Sequence, residues 1–506
     1  MRRTAQLIAC SALWLAAAAH ARVYTFTNIV DSTQQLITTG VQCLAPAINN
    51  SGELAFIAGS GSVRGIYKSA SGVLTPIATT NFGGQIHAFD ETECHGPSIN
   101  NAGKVAFYAS TPALASDGIY IGDGVSVATV ADSGGAFGLF SGGCCKPFVM
   151  INESGKVAFV ARFDAGGAEA LYVGDENAIT PLYHAGNSPF VSYEGGPSIN
   201  DAGTVAFFGF SSNFTSDGLF VGNGGLPTQL FDYNTDWCSL SLETGIDPAG
   251  RASFAGELGP FPSCVGDTTI FLATPSGHAP LVPGPVVPFW FDPPSFAASN
   301  EIAFNGGPLG GPNGIFSGGS VGSAVIRVGD ALFGSTVTRV NVGRQGLNDS
   351  GHVAFWYALA DGRDGYARAN LVPDCQNGLD DDADGKTDTF DTGCANASDL
   401  SERTTLYKCD DGADNDADGL VDFPFDAGCA SAKGKKENPF CSDGLDNDLD
   451  GFIDYPADTF CKGPTGSNEA PAAPGSGGCG IGPELLLAIP LLASTRRKLR
   501  SARNPS

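Results

Sequence analysis

The chain has 506 residues, with 27 Lys plus Arg against 53 Asp plus Glu and a formal net charge of −26. No basic stripe is available to neutralise phosphates, which argues against nucleic acid as a partner. Gly is abundant at 69 residues and helical periodicity is nearly absent between residues 23 and 372, so the composition points to an all-β chain of many short strands.

The N-terminus reads as a secretory signal over residues 1–21. Arg2 and Arg3 form a basic end, Leu7 to Ala19 an apolar stretch, and Ala19-His20-Ala21 a small-x-small cleavage site. The apolar run is short for a membrane anchor. Export would place the remainder in a compartment where disulfides persist.

A phrase then recurs seven times. Ile48-Asn-Asn-Ser-Gly-Glu-Leu-Ala-Phe56 returns at Ile99 to Phe107, Ile151 to Phe159, Ile199 to Phe207 and Leu347 to Phe355, with weaker copies at Ile246 to Phe254 and Phe296 to Phe304. The starts lie 51, 52, 48, 47, 50 and 51 residues apart, a period that marks one supersecondary unit stacked many times. Each copy reads as a β-hairpin. The Asn side chain is placed to accept from the backbone two residues on, and the Gly supplies a left-handed conformation at no steric cost. Copy five carries Asp247 for Asn; copy six carries Ala297 and has Asn300 at the Gly position. After the turn, large and small residues alternate, as in Val105-Ala106-Phe107 and Val157-Ala158-Phe159. This suits sheets stacked with the Phe of one over the Ala of the next. A third strand (Gly118 to Tyr120, Ala170 to Tyr172) and a fourth (Thr180 to Tyr183, Ala324 to Val328) follow. Four strands per unit of this length make a propeller blade.

The seventh unit has no fourth strand of its own before the composition changes at Pro373. Val23 to Asp31 resembles the fourth strands of the other units, so the spacing predicts a seven-bladed β-propeller over residues 22–372, closed by its N-terminal strand. Closure removes exposed edges; the alternative is an open solenoid. Six Cys fall in this region, with Cys43 and Cys94 at matching places, and their pairing is not readable. The histidines are scattered without metal-ligand spacing. Stretches ahead of the phrases carry aromatics and read as loops on one face of the ring. Phe89, Tyr193, Trp237 and Trp290 are the candidates there for stacking on a sugar or burying in a partner, or simply for covering the blade ends.

Residues 373–466 differ. Between 375 and 461 there are 22 acids and 6 bases, in three copies bounded by Cys375 and Cys394, Cys409 and Cys429, and Cys441 and Cys461. Each holds an Asp-x-Asp-x-Asp-Gly-x-x-Asp core: Asp380, Asp382, Asp384 and Asp388; Asp414, Asp416, Asp418 and Asp422; Asp446, Asp448, Asp450 and Asp454. A further carboxylate follows at Asp391, Asp426 and Asp458. Hard oxygens at alternate positions before a Gly are what a structural calcium loop needs, although the terminal Glu and flanking helices of an EF-hand are absent. Each Cys pair would close one loop. The expected role is an irregular stalk, stiff with calcium and floppy without it; a solvated acidic spacer is the plainer alternative.

A Pro/Ala/Gly/Ser linker spans residues 467–478. Residues 479–506 begin with Cys479, continue through an apolar stretch from Leu485 to Ala493, and end in a basic cluster at Arg496, Arg497, Lys498 and Arg500. The apolar part is short of the roughly 20 residues of a helical span. A small-residue site, an apolar stop and a basic end describe a processed sorting signal, with cleavage near Cys479 leaving the protein anchored outside.

The phrase Asn-x-x-Gly-x-x-Ala-Phe resembles the NxxGxxAF tandem-repeat proteins of bacteria, the "choice-of-anchor" group. Gly329 to Val337, Gly346 to Phe355 and Leu359 to Arg363 are especially similar, and the likeness covers most of residues 40 to 372. Copies five and six depart from it in their turns. The acidic copies resemble Asp-rich repeats of bacterial surface proteins and, distantly, thrombospondin type-3 calcium repeats. The tail resembles Gly-Cys sorting signals of the MYXO-CTERM kind. The resemblance implies a surface or secreted bacterial protein with an interchangeable C-terminal anchor, and no activity.

No nucleophile elbow, phosphate loop or acid/base pair is found. The expectation is therefore an exported, surface-anchored, non-enzymatic binding or adhesion protein for a glycan or protein ligand. It would touch the membrane only through its tail, be processed by a sorting protease, and sit on the cell surface or outer membrane or be released. The alternative is a secreted propeller enzyme, a polysaccharide hydrolase or lyase, with acids converging in the central channel. Propellers host both.

Overall fold

The structure is a computed structural model that describes residues 22–461 apart from 35–44, 61–62, 81–95, 112–115, 141–148, 164–167, 185–186, 213–216, 233–236, 241–243, 259–267, 282–293, 299–300, 308–311, 319–322, 383, 414, 416–421, 424–428, 430–431, 435–440, 442–445, 447 and 449. The chain divides into two compact units, Met1–Asn377 and Gly378–Ser506.

The first unit is a seven-bladed propeller of antiparallel sheets. Blade two shows the pattern: Ser98–Ile99, Val105–Thr111, Ser116–Gly122 and Val127–Asp132, each hydrogen-bonded to the next. Blade seven is made of Ser335–Leu347, Val353–Leu359 and Asp364–Leu371, and its fourth strand is Tyr24–Asp31. That strand pairs antiparallel with Asp364–Leu371, Tyr24 opposite Leu371 and Asp31 opposite Gly365. The expected closure by the N-terminal strand is therefore how the ring shuts. The strand is also tied to blade six, by Tyr24 Oη and Ser317 Oγ at 2.5 Å and by the Arg22–Glu301 ion pair.

The core lies between blades. The phrase Phe of every blade is buried (Phe56, Phe107, Phe159, Phe207, Phe254, Phe304 and Phe355). Ala55 shares an apolar cluster with Phe107, Ala106 with Phe159, Ala158 with Phe207, Ala206 with Phe254, Ala303 with Phe355, and Ala354 with Phe56. The small face of each blade thus takes the ring of the next, all the way round. The exception is blade five, where Ser253 stands in the alanine place, fully buried, and its hydroxyl has no hydrogen-bond partner.

The turn chemistry differs in one respect from the sequence expectation. The phrase Asn accepts from the N–H four residues on, not two: Asn49 Oδ1 from Glu53 (2.9 Å), Asn100 from Lys104 (3.0 Å), Asn152 from Lys156 (2.9 Å) and Asn200 from Thr204 (2.9 Å). Asn348 accepts at both distances. With Oδ1 occupied in its own turn, each amide Nδ2 points to the next blade. Asn49 donates to the Asn100 carbonyl (3.0 Å), Asn100 to Asn152 (3.2 Å), Asn152 to Asn200 (3.1 Å), Asn200 to Asp247 (3.1 Å) and Asn348 to Asn49 (3.0 Å). The repeated Asn is both a turn cap and a clasp between neighbouring blades. The turn of copy five survives its substitution: Asp247 accepts from Arg251 N–H (2.7 Å), and Gly250 keeps the left-handed φ of +82°.

Candidate functional site

Among the described residues, two places gather polar groups: the ring centre and the Asp-rich loops. The first strands of all seven blades surround the ring centre, and a cavity of about 150 Å³ opens there among the phrase turns. Its rim carries Glu153, Asp201 and Asp349. These carboxylates are engaged in a second inter-blade ring: Asn101 N–H donates to Glu153 Oε2 (2.9 Å), Glu153 N–H to Asp201 Oδ1 (2.9 Å), and Ala298 N–H to Asp349 Oδ1 (2.6 Å). Burial raises the Glu153 pKa, and the charges of Asp201 and Asp349 raise it further.

Below the rim the channel is crossed by Arg344 and Gln345. They sit where Ser335–Leu347 slips register between Val342 and Leu347. Gly346 allows the slip, since a Cβ there would lie 2.2 Å from Val342 Cγ2 and 3.1 Å from the Ala354 carbonyl. Gln345 Oε1 accepts from Ser98 Oγ (2.7 Å) and Ile99 N–H (3.0 Å) in blade two, and Arg344 Nη1 donates to the Gly196 carbonyl (3.0 Å) in blade four. Two side chains of blade seven thus reach across the ring centre to blades two and four.

Of the four aromatics that the sequence offers for a loop face, the structure describes the side chain of Tyr193, and it does not lie on such a face. Tyr193 is a core residue, 1% exposed, on the strand Phe190–Ile199. Its ring lies against Phe190 and Phe207, its N–H donates to Glu169 Oε2 (3.2 Å), and burial pushes its hydroxyl up to about 12. Phe137, Phe140 and Phe190 are likewise buried on first strands. What reads as a loop before the phrase is the upstream half of a bulged first strand, so its aromatics pack between blades. Phe89, Trp290 and the side chain of Trp237 lie outside the described residues.

In the second unit, Cys409 pairs with Cys429 and Cys441 with Cys461, each across 20 residues of sequence. Cys375 and Cys394 are also disulfide-bonded. Asp380, Asp382 and Asp384 bring carboxylate oxygens within 4.8 Å of one another, and so do Asp446, Asp448 and Asp450; either cluster could hold a metal ion. The two loops are wound alike. Gly385 N–H donates to Asp380 Oδ2 (3.0 Å) and Gly451 N–H to Asp446 Oδ2 (3.0 Å), with both Gly at left-handed φ, +92° and +95°. Asp384 N–H donates to Asp382 Oδ1 (3.1 Å), as Asp450 N–H does to Asp448 Oδ1 (3.1 Å).

One oxygen of each carboxylate therefore shapes the loop, and in the first loop the other is left over. Asp380 Oδ1, Asp382 Oδ2 and Asp391 Oδ2 are buried and receive no hydrogen bond, although Asp382 is only 3% and Asp391 only 4% exposed. Stranding an acceptor costs about 1–3 kcal/mol, more for a charged group. A cation is the partner that carboxylate oxygens in this state lack. Burial raises the Asp384 pKa, and the neighbouring Asp391 adds to it. Asp458 in the third copy is buried like Asp391; its Oδ1 accepts from Phe460 N–H (2.7 Å), as Asp391 Oδ1 does from Gly393 N–H (2.5 Å).

Asp388 and Asp422 are used differently from the expectation that made them ligands. Both have left-handed φ, +51° and +52°. Asp388 Oδ1 accepts from Gly378 N–H (2.9 Å); Asp422 accepts from Asp411 (3.0 Å) and Gly412 (2.7 Å) and pairs with Arg403. Both residues close the turn after the first Cys of their copy. Asp414, Asp416, Asp418, Asp426, the side chain of Asp454 and Cys479 lie outside the described residues. Two acids that the spacing did not mark are buried beside the first loop. Glu402, 1% exposed, accepts from Asp381 (2.6 Å) and Asp388 (2.5 Å) N–H groups, and burial pushes it up to about 7. Asp410, 3% exposed, is raised to about 8, first by burial and then by Asp382 within hydrogen-bonding reach. Neither is in phase with the repeat, so only the fold reveals them.

Residues 26–234, less than half of the chain, match the model of a family of unknown function, DUF7453. No curated protein matches. Among solved structures, TolB from Acinetobacter baumannii is similar at 16% identity over 46% of this chain and 54% of that one, with a TM-score of 0.29. Prolyl oligopeptidase B from Galerina marginata is similar at 8% identity over 62% of this chain and 46% of that one, with a TM-score of 0.41. The chain thus spans about half the length of either protein.

Proposed function

We propose that this protein is an exported, surface-held, non-enzymatic binding or adhesion protein, with a propeller head and an Asp-rich module stabilised by calcium. The observation that carries the reading is the set of buried carboxylate oxygens without donors on Asp380, Asp382 and Asp391. An all-oxygen, multi-carboxylate set suits calcium, which takes 6–8 oxygen ligands. The calcium would be structural. The binding reading of the head is supported by the ring centre. There Arg344 and Gln345 fill the channel, and the rim acids hold neighbouring blades together. The ligand proposed is a glycan or a protein. Anchoring and processing at Cys479, the outer-surface location and kinship with the choice-of-anchor proteins belong to the same proposal. They rest on the sequence of the tail and the phrase. Among the described residues no helix is long and apolar enough to cross a membrane.

The test is calcium-dependent proteolysis of the full chain. At ~10 mM calcium and a Kd of about 10⁻⁴ to 10⁻³ M, binding stabilises a site by about 1.4–2.7 kcal/mol, a fall of roughly 10–100-fold in its open population. Cleavage between Gly378 and Cys461 should slow accordingly, and chelator should restore it. Equal digestion with and without chelator would refute the calcium module. For the head, retention on a glycan array without product release is expected; polysaccharide turnover would overturn the binding reading in favour of a hydrolase or lyase.

A further inference from the structure

The first Asp-rich loop does not end at its own repeat. Asp410 belongs to the second copy, directly after Cys409, yet it is buried at 3% exposure against the first loop. Its Oδ2 accepts from Thr404 N–H (3.1 Å), which fixes the carboxylate from the linker side. Asp382 lies within hydrogen-bonding reach of it, and Asp391 is close enough for its charge to be felt. Asp382 and Asp391 each keep one buried oxygen that receives no donor. Carboxylates brought together out of water repel unless something positive lies among them. The charge of Lys386 is felt at Asp384. The linker between the copies adds Glu402, whose two oxygens hold the Asp381 and Asp388 N–H groups and so fix the loop from outside the cluster.

We infer that the metal ion of the first loop is shared between two repeats, with Asp380, Asp382, Asp384 and Asp391 supplied by the first copy and Asp410 by the second. This rests on the calcium reading above and deepens it. The ion then staples the first repeat to the second, and holds both ends of the linker of residues 395–408. The residues that follow the first Cys of the other copies are Gln376 and Ser442, neither of them an acid. The staple is therefore a property of this one junction. It makes the three loops unequal, with the first the most strongly charged.

The experiment is calcium titration by calorimetry on the chelator-treated full chain, with trypsin digestion at Arg403 and Lys408 in parallel. The variants are Asp410→Asn, Asp410→Ser (the residue the third copy carries there) and Asp448→Asn as a comparator in the third loop. Asp410→Asn and Asp410→Ser should weaken one calcium site by about tenfold or more and abolish calcium protection of the linker. Asp448→Asn should weaken a different site and leave linker protection intact. Assay of free thiols verifies that the disulfides of each variant have formed, and either Asp410 variant suffices. Wild-type affinity and linker protection in the Asp410 variants, with a site lost in Asp448→Asn, would overturn the shared site and leave the calcium loops standing. No calcium uptake by the wild-type chain would overturn both.

Discussion

Substitution of Asn152 tests the double use of the phrase asparagine. The residue is 4% exposed. Its Oδ1 accepts from Lys156 N–H and Ser154 Oγ inside the turn, and its Nδ2 donates to the Asn200 carbonyl of the next blade. Asn152→Ala removes all three bonds: the Lys156 N–H is left to water, and the Asn200 carbonyl keeps only the Gly203 N–H (2.9 Å). At a net value of about 0.5–1.5 kcal/mol for each of the three hydrogen bonds, the cost should be about 2–4 kcal/mol. The double variant Asn152→Asp with Lys156→Arg copies the pair found in blade five, where Asp247 accepts from the Arg251 backbone and binds its guanidinium. It keeps the cap and loses only the clasp, so it should cost about 1 kcal/mol, the net value of one hydrogen bond. Urea denaturation followed by tryptophan fluorescence reads both. An alanine variant within about 0.5 kcal/mol of wild type would refute the reasoning, as would a double variant as damaging as the alanine.

Two further outcomes follow from the packing between blades. Ser253→Ala should stabilise the propeller by about 1 kcal/mol and raise its melting temperature, because it removes a buried hydroxyl without a partner and restores the small residue the other blades carry; calorimetry showing no gain would mean that the hydroxyl is satisfied in solution. Deleting residues 22–31 strips blade seven of its outer strand and exposes the edge of Asp364–Leu371, so the truncated chain should self-associate; a monomer with unchanged near-ultraviolet circular dichroism would contradict closure by this strand.

What was legible in the sequence is what local chemistry repeats. The phrase announced the turn, the alternation announced the buried Phe and Ala faces, and the strand-like run after the signal announced closure. What was hidden is non-local or depends on backbone sign. In sequence the strand Phe190–Ile199 reads as a loop because Gly195, at φ +65°, breaks the alternation where the register shifts between Glu194 and Ser198. Arg344 and Gln345 occupy unremarkable variable positions, and only the closed ring carries Gln345 to Ser98, 247 residues away. Asp388 has ligand spacing, but its positive φ sets its carboxylate on Gly378 instead. Asp410 lies out of phase with the first loop and meets it only through the fold of the linker.

Repetition also conceals one seam. The clasp from each phrase Asn to the next carbonyl fails where the donor is Asp247, whose two oxygens both face Arg251, and again where it is Ala297. The second ring, which runs from a backbone N–H to the next blade's side chain, needs an N–H at its second position and an acceptor opposite. Pro248 has no N–H, and Ala298 has no side-chain acceptor. Blades four and five keep the Asn200 clasp and the hydrogen bond from Ser198 Oγ to the Thr244 carbonyl. Blades six and seven are rejoined by Asn305, which donates to Asn341 Oδ1 (2.7 Å) and the Val342 carbonyl (2.8 Å) and accepts from Val342 N–H (2.9 Å). Among the described residues only the junction of blades five and six loses both rings, and it is also where Ser253 replaces the alanine. A closed ring opens where its clasps are fewest, since local opening follows the local sum of contacts. Native-state hydrogen exchange in mild urea should therefore release the amides of Ala252–Leu258 and Ile302–Gly306 before those of Val157–Phe163 and Val205–Ser211. Equal protection in all four strands would mean that the blades are held by their apolar faces alone and that the asparagine rings add nothing to cohesion.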